Sequence, residues 1–309
     1  MKYREWLEEW LDVYVTPYVK TRTLNQYRDI VYKRLIPDLG WVEVDELDPI
    51  LLQRYIAELS QNGNTRTGQG LTPNTIYGIL SVIRCSVSTA QMHGMARNFN
   101  ADKIKRPRRS EKAVTCFTKE QQKLIENDVL RSGSDKMFGI VLCLYTGLRL
   151  GEVLALEWTD VDLESEELQV LKTCYDGRDD EGRYGRIVDT PKTQSSRRTV
   201  PIPGQLIPYL RKLRERSSTV YVVSDGDKAP TLRSYQRSFE ALQRRLGIPH
   251  HGFHALRHTF ATRALECGMD VKTLSEILGH RSPTVTLNRY AHSLYDHKKE
   301  MMNKLGLLL

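Results

Sequence analysis

Apolar residues recur at helical spacing through the first hundred residues of the chain. Trp6 and Trp10 are four residues apart and therefore share one face of a predicted helix. A second periodic stretch ends at Pro37 and Gly40, which are both helix stop signals. Two further helices are expected where an N-cap residue precedes a proline, at Asp48-Pro49 and Thr72-Pro73. Residues 1–100 are thus predicted to form a small all-α domain.

The pattern changes after residues 101–115, a basic segment that we interpret as a linker. Downstream, "WTDVDLESEELQVLKTCYDG" and "RIVDTPKTQSSRRTVPIP" alternate as strands do, with turns expected at Asp176-Gly177 and Glu181-Gly182. Helical periodicity returns in four later stretches, 204–216, 231–246, 254–267 and 270–278. Residues 116–309, which include a C-terminal tail, are therefore predicted to form a mixed α+β domain.

Composition excludes several classes of protein. The chain has 309 residues and is 40% hydrophobic, which fits a soluble protein with ample core. No apolar run approaches the ~20 residues that a membrane span needs, and the first residues do not resemble a signal peptide. Five scattered cysteines without a C-x-x-C pair fit neither a disulfide framework nor a zinc site. We expect a cytoplasmic protein without membrane contact, cofactor or metal ion.

The net charge of +8 is unevenly distributed along the chain. Residues 97–112 hold seven Lys or Arg residues against two acidic residues. Such a run is commonly a solvated linker, and that interpretation stays open. It can also follow a nucleic-acid backbone, because each neutralised phosphate releases counterions. The candidate backbone contacts are Lys103, Lys105, Arg106, Arg108 and Arg109.

Half of the eight histidines fall in one short stretch, which includes "HGFHALRHTF". His254 and His258 have the i, i+4 spacing of a zinc-binding helix, but Arg257 would lie beside the cation. No Asp or Glu occurs from 250 to 265, so the metal interpretation is disfavoured. Taken alone, the segment fits a basic helix end with one buried histidine.

Four other positions resemble parts of an anion site. Arg149 follows a glycine turn and has Glu152 three residues later to orient it. Lys192 is expected at a hairpin turn, His280 follows a helix end, and Tyr290 comes ten residues after His280. Each has an ordinary structural interpretation as a cap, a solvated charge or a core residue, and none is decisive alone.

Together these residues resemble the tyrosine recombinase (phage integrase) family. The motifs are Arg149 in "TGLRLGE", Lys192 in "PKTQSSRRTVPI", His254 and Arg257 in "HALRHTFAT", His280 in "LGHRS" and Tyr290 in "NRYAH". The resemblance spans essentially the whole chain. It implies a SAM-like helical core-binding domain that is followed by the mixed α+β catalytic domain of the family.

The resemblance also implies a reaction. Arg149 and Arg257 would clamp a phosphodiester, with His280 as a further hydrogen-bond donor. Tyr290 would attack phosphorus and form a 3′-phosphotyrosine, with His254 as the proton acceptor. Lys192 would protonate the departing 5′-oxygen. Neither a metal ion nor ATP is required, because the phosphotyrosine retains the energy of the broken bond.

The long polar segment 170–190 is most similar to integrases of phages and integrative conjugative elements. Those proteins often carry an N-terminal arm-binding domain, so a natural two-domain form and a shortened chain both fit. The implied partners are double-stranded DNA with specific sites and three further copies in a tetramer that forms a Holliday junction. A DNA-bending or directionality factor is left open, and the implied location is the bacterial nucleoid. Competing interpretations are a chromosome-dimer-type resolvase, a topoisomerase, and a DNA-binding module without catalysis.

Overall fold

A computed structural model describes residues 1–108, 114–179, 181–190, 197–290, 302–303 and 305–306. The chain divides into two compact units, Met1–Lys112 and Ala113–Leu309. Of the predicted site residues, Lys192 and Arg109 lie outside the described residues, as does most of the predicted tail. Among the residues described, no helix is both long and apolar enough to span a membrane.

The first unit is helical. Asp48 and Thr72 are N-caps, and their side chains accept hydrogen bonds from the backbone N–H groups of Leu51 and Thr75. Trp6 is 1% exposed, and its indole N–H donates to the carbonyl of Ser86, so the first helix is fixed against the last. The helices are α1 (Tyr3–Trp10), α2 (Thr21–Ile30), α3 (Ile36–Leu39), α4 (Pro49–Asn62) and α5 (Pro73–Met92).

The expected helix stop at Pro37 is wrong. A π-helical turn, Val31–Leu35, carries the helix from α2 into α3, which ends at Gly40. Pro37 follows directly on this turn, which closes with the Ile36 N–H bonded to the Val31 carbonyl five residues earlier. Tertiary burial of Leu35 and Ile36 favours continuing the helix through the proline.

The basic segment begins as part of the first unit. Ile104 is buried in its core, and the backbone N–H of Lys105 donates to the Gln53 side chain at 2.8 Å. The guanidinium of Arg106 lies 5.7 Å from the centre of the Tyr77 ring. Residues 101–106 are therefore packed against α4 and α5.

The second unit combines helices with two small sheets, as predicted. Strands β1 (Val161–Asp162), β2 (Glu167–Val170) and β5 (Arg198–Pro201) form an antiparallel sheet in the order β1-β2-β5. Strands β3 (Thr173–Arg178) and β4 (Tyr184–Asp189) form a hairpin. The helices are α6 (Lys119–Ser132), α7 (Asp135–Thr146), α8 (Leu150–Ala155), α9 (Ile207–Arg216), α10 (Leu232–Arg245), α11 (His254–Glu266), α12 (Val271–Leu278) and α13 (Pro283–Tyr290).

One of the two expected turns in this hairpin is wrong. Asp176 and Gly177 lie inside β3, where Asp176 pairs with Arg186 of β4. The Asp176 carboxylate accepts hydrogen bonds from the backbone N–H groups of Leu232 and Arg233, at the start of α10. This tertiary contact uses the aspartate as a helix cap rather than as a turn residue. The other turn, at Glu181-Gly182, is present and has Gly182 at φ 78°.

Candidate active site

Four of the six predicted catalytic residues lie on or beside three helices of the second unit. Arg149 precedes α8, Arg257 is on the buried helix α11, and His280 follows the end of α12. The predicted proton acceptor His254 is the first residue of α11 and is exposed. The structure joins Arg149, Arg257 and His280 in one hydrogen-bonded network, although as many as 131 positions separate them along the chain.

The last turn of α12 binds three guanidinium groups. The final carbonyls of a helix have no partner within the helix, and they carry the negative end of its dipole. Each of three consecutive carbonyls here accepts a hydrogen bond from a different arginine. The pairs are Arg198 with Ile277, Arg257 with Leu278 at 2.7 Å and Arg149 with Gly279 at 3.2 Å.

Arg257 is the most deeply buried of the three, at 1% exposure. Its Nη1 donates to the Gly147 carbonyl at 2.7 Å, and its Nη2 lies 3.0 Å from His280 Nε2. Burial, followed by the charge of Arg149, lowers the pKa of Arg257 to about 9, so it stays protonated at neutral pH. Because arginine only donates, Nε2 of His280 accepts, and its Nδ1–H donates to Thr286 Oγ1 at 2.7 Å.

Glu152 is the buried carboxylate of the network. It accepts from the backbone N–H and Nη1 of Arg149, at 2.9 and 2.7 Å, and from Nη1 and Nη2 of Arg198, at 3.2 and 2.9 Å. Burial alone would raise the pKa of Glu152, but the charges and hydrogen bonds of Arg198 and Arg149 outweigh it and lower the pKa to about 2. One carboxylate against three arginines leaves the site positive.

Two glycines shape this network. Gly147 ends α7 at φ 65° and Gly279 ends α12 at φ 63°, a left-handed conformation that favours glycine. A Cβ on Gly147 would lie 2.4 Å from the ring of Phe260. The carbonyls of these two glycines are the ones that accept from Arg257 and Arg149.

Tyr290, the predicted nucleophile, is 1% exposed at the end of α13. Its hydroxyl lies 2.6 Å from Nδ1 of His258, which is also buried. The ring of His258 packs in a T-shaped contact against His254, with centroids 4.6 Å apart. The i, i+4 spacing that suggested a pair of metal ligands therefore places two histidines in an edge-to-face contact beside a tyrosine. Within the part of the chain that the structure describes, no cluster of His, Cys, Asp or Glu could hold a metal ion.

Sequence reasoning missed two residues of the site, Arg198 and His258. On β5 the residues alternate between the two faces, so Arg198 shares the inward face with buried Val200. A charged residue at a core-facing strand position is the signal that could have found it. For His258 the signal was its helical spacing from His254, which we considered only as metal geometry.

The predicted DNA-backbone contacts lie in the first unit. Four of them are described and have side chains that are exposed or, for Arg106 alone, half-buried: Lys103, Lys105, Arg106 and Arg108.

Comparison with known proteins identifies the family. The sequence profile of the "Phage integrase family" matches residues 117–297, more than half of the chain. The profile of the "Phage integrase, N-terminal SAM-like domain" matches residues 2–60. The chain belongs to the phage integrase family. The predicted family, the fold class and the enzyme class are thereby confirmed: the protein is a tyrosine recombinase, an enzyme that cleaves and rejoins DNA strands.

Similarity to individual proteins supports the same family assignment. The recombinase is 30% identical to the tyrosine recombinase XerC-like protein of Caldanaerobacter subterraneus subsp. tengcongensis, over 97% of this chain and 81% of that protein. It is 29% identical to the ICEBs1 integrase of Bacillus subtilis, over 78% of this chain and 67% of that protein. Its fold matches the Tn1549 transposon integrase in complex with circular intermediate DNA, with a TM-score of 0.77, 21% identity and 99% coverage of both chains.

The ion pairs of Glu152 predict an acid-sensitive contribution to stability. The folded-state pKa of about 2 is below the ordinary 4.5, so the contribution is complete above pH 4.5 and is lost as pH falls towards 2. The difference corresponds to roughly 3 kcal/mol. In urea unfolding at several pH values, the free-energy difference between the wild type and Glu152→Gln should shrink over this range.

The exposed Glu164 provides the matched control, because it also binds an arginine, Arg211, at 2.9 Å. Glu164→Gln should differ little from the wild type at any pH. A Glu152→Gln difference that stays constant from pH 5 to pH 2.5 would contradict the assignment.

Proposed function

We propose that this recombinase is the integrase of a mobile element, which it inserts and excises at specific DNA sites. The observation that carries the proposal is the arginine network at the end of α12 together with its link to the tyrosine. Arg257 and His258 are neighbours on α11, and they contact His280 and Tyr290 respectively. The similarity to the ICEBs1 integrase and to the Tn1549 integrase fold supports the choice of a mobile element.

The network suits a phosphodiester whose charge grows during attack. Among the described contacts, Arg149 uses two of its five donors on Glu152 and Gly279, and its side chain is 36% exposed. Its guanidinium can therefore bond one non-bridging oxygen, and we assign the second oxygen to Arg257. His280, the further donor expected from the motif, instead accepts from Arg257 through Nε2 and donates to Thr286 through Nδ1. These donors are held in place before DNA binds, so the site needs little reorganisation in the transition state.

Tyr290 is the nucleophile in this proposal. Its O–H bond breaks as the phenolic oxygen bonds to phosphorus, and the P–O5′ bond breaks to leave a 3′-phosphotyrosine. The 5′-oxygen takes a proton from Lys192, which is assigned this role by its sequence motif alone. The 5′-hydroxyl of the other duplex then attacks the phosphorus of the phosphotyrosine and releases Tyr290, so the two steps need neither ATP nor a metal ion.

His258 and His254 share the candidate role of proton acceptor. His254 was the prediction from the motif, whereas the 2.6 Å contact with the tyrosine hydroxyl belongs to His258. A neutral His258 with its proton on Nε2 has Nδ1 ready to accept the phenolic proton. We therefore propose His258 as the direct acceptor, with His254 packed against it.

The proposed number of subunits follows from the number of DNA strands that are exchanged. Each chain supplies one nucleophile, and two duplexes present four strands, so exchange through a Holliday junction takes a homotetramer on two specific DNA sites. We propose that it works on the bacterial nucleoid, in the cytoplasm, with a DNA-bending or directionality factor as a further partner. The proposed domains are 1–100 and 116–309, joined by the basic linker 101–115, whose residues 101–106 pack against the first unit.

A second candidate is a two-domain chromosome-dimer-type resolvase. The relative that is 30% identical over 97% of this chain is named a tyrosine recombinase rather than an integrase, which favours this alternative. Recombination that joins a circular element to a separate target supports the integrase, whereas exchange confined to two copies of one site supports the resolvase.

The first prediction for this function is covalent chemistry without metal. On nicked duplexes of randomised sequence in EDTA, the wild type should form an SDS-stable adduct whose sequencing yields the half-site. Tyr290→Phe should form none, because the nucleophilic oxygen is missing. The variant Tyr209→Phe, at an exposed tyrosine of the same unit, is the matched control and should retain the adduct. An adduct that persists in Tyr290→Phe would reject this nucleophile.

The second prediction separates the two histidines. His258→Ala should slow single-turnover cleavage by about 100-fold or more, as loss of a positioned proton acceptor does. Added imidazole should restore part of the rate, because it can fill the cavity and accept the proton. His254→Ala should have the smaller effect, and His250→Ala, at an exposed histidine, should have none. A larger loss of cleavage rate in His254→Ala than in His258→Ala would assign the role of proton acceptor to His254.

The third prediction concerns the basic segment. If the Lys105 side chain contacts a DNA phosphate, Lys105→Gln should reduce the slope of log K against log salt concentration by about one unit. Lys33→Gln is the control, since Lys33 is outside the segment and pairs with Asp29 at 2.6 Å. An unchanged slope for Lys105→Gln would remove this residue from the interface.

A further inference from the structure

Arg198 differs from the other arginines of the site in how its donors are used. Its Nε donates to the carbonyl of Ile277, and Nη1 and Nη2 donate to the two carboxylate oxygens of Glu152 at 3.2 and 2.9 Å. Its side chain is 7% exposed, compared with 36% for Arg149. All three nitrogens of the Arg198 guanidinium thus bond to protein atoms, and two of them hold the two oxygens of one carboxylate.

Arg198 and Arg149 share a hydrogen-bond partner, the carboxylate of Glu152. Each oxygen of Glu152 that Arg198 binds also accepts from Arg149: Oε1 accepts from its Nη1, and Oε2 accepts from its backbone N–H. The two-pronged Arg198 contact fixes the plane of this carboxylate. The orientation of the Arg149 guanidinium therefore depends on a residue of strand β5 that lies 49 positions away.

The same side chain ties two elements together. Arg198 is the first residue of β5, and its bond to Ile277 links this strand to the last turn of α12. That turn also provides the carbonyls that hold Arg257 and Arg149. A shift of Arg198 would thus disturb the carboxylate and the helix end that position both phosphate-binding arginines.

We propose that Arg198 is a positioning residue for strand cleavage, which sets the Arg149 guanidinium through Glu152. The inference rests on the proposed phosphate clamp and adds to it a residue that acts through Glu152. Lysine cannot replace Arg198, because a single ammonium cannot bond both carboxylate oxygens in a plane and also reach Ile277. Displacement of a catalytic group by about 1 Å costs roughly 100-fold in rate, and we expect an effect of that order.

The test measures single-turnover cleavage of a nicked half-site by Arg198→Met and Arg198→Lys at saturating protein, with DNA affinity measured separately. Both variants should cleave roughly 100-fold more slowly than the wild type, while the dissociation constant for DNA stays the same. Arg211→Met is the matched control, because Arg211 also binds a glutamate, Glu164, on the surface of the same unit. The control should cleave at the wild-type rate.

A second substrate separates positioning from a general loss of folded structure. Replacing one non-bridging oxygen of the scissile phosphate with a methyl group removes the negative charge that Arg149 is proposed to bind. On this methylphosphonate, Arg149→Ala and Arg198→Met should both regain much of the rate that they lose on the phosphate. A variant that is simply misfolded would be equally impaired on both substrates.

The possible outcomes distinguish failure of the proposed function from failure of the proposed role of Arg198. Wild-type protein that forms no covalent adduct on either substrate would reject the proposed function itself. An active wild type together with wild-type rates in both Arg198 variants would reject the inference alone. So would an Arg198→Lys variant that folds, by thermal unfolding and DNA affinity, yet is equally slow on phosphate and methylphosphonate.

Discussion

The geometry of the site depends on the last turn of α12, whose carbonyls have no hydrogen-bond partner within the helix. Residues 277–279 offer three consecutive acceptors, and each holds a guanidinium from a different element of the second unit. A helix end satisfies its own carbonyls with difficulty, and arginine satisfies them while adding positive charge where the dipole is negative. The same bonds that complete the helix thus assemble a site for an anion.

Backbone dipoles explain how this site holds three arginines although it contains only one carboxylate. Glu152 compensates for one positive charge, and the carbonyls of Gly147 and α12 stabilise the others as dipoles. An excess of positive charge in a partly buried site is costly in the absence of an anion. In the proposed function a phosphodiester supplies the missing negative charge. The site would then favour the phosphate, and more strongly its transition state, which carries more negative charge.

The proposed nucleophile and the proposed phosphate clamp are connected through adjacent residues of one helix. On α11, Arg257 faces His280 while His258 faces Tyr290, so any rotation of this buried helix would move both halves of the site. The helix is packed against α7, whose last residue leads into Gly147. The packing of α11 against α7 is therefore part of the geometry of the site.

Local sequence determined the helical first unit, its N-caps at Asp48 and Thr72, and the motif that identifies the recombinase family. These features depend on spacings of a few residues, which can be read directly along a chain. Only the tertiary structure decided that Pro37 lies inside a helix and that His258 contacts Tyr290. It also placed Arg198 against Glu152 and Ile277, which are 46 and 79 positions away. Such contacts depend on which elements pack together, and that packing is set by the whole core rather than by any one segment.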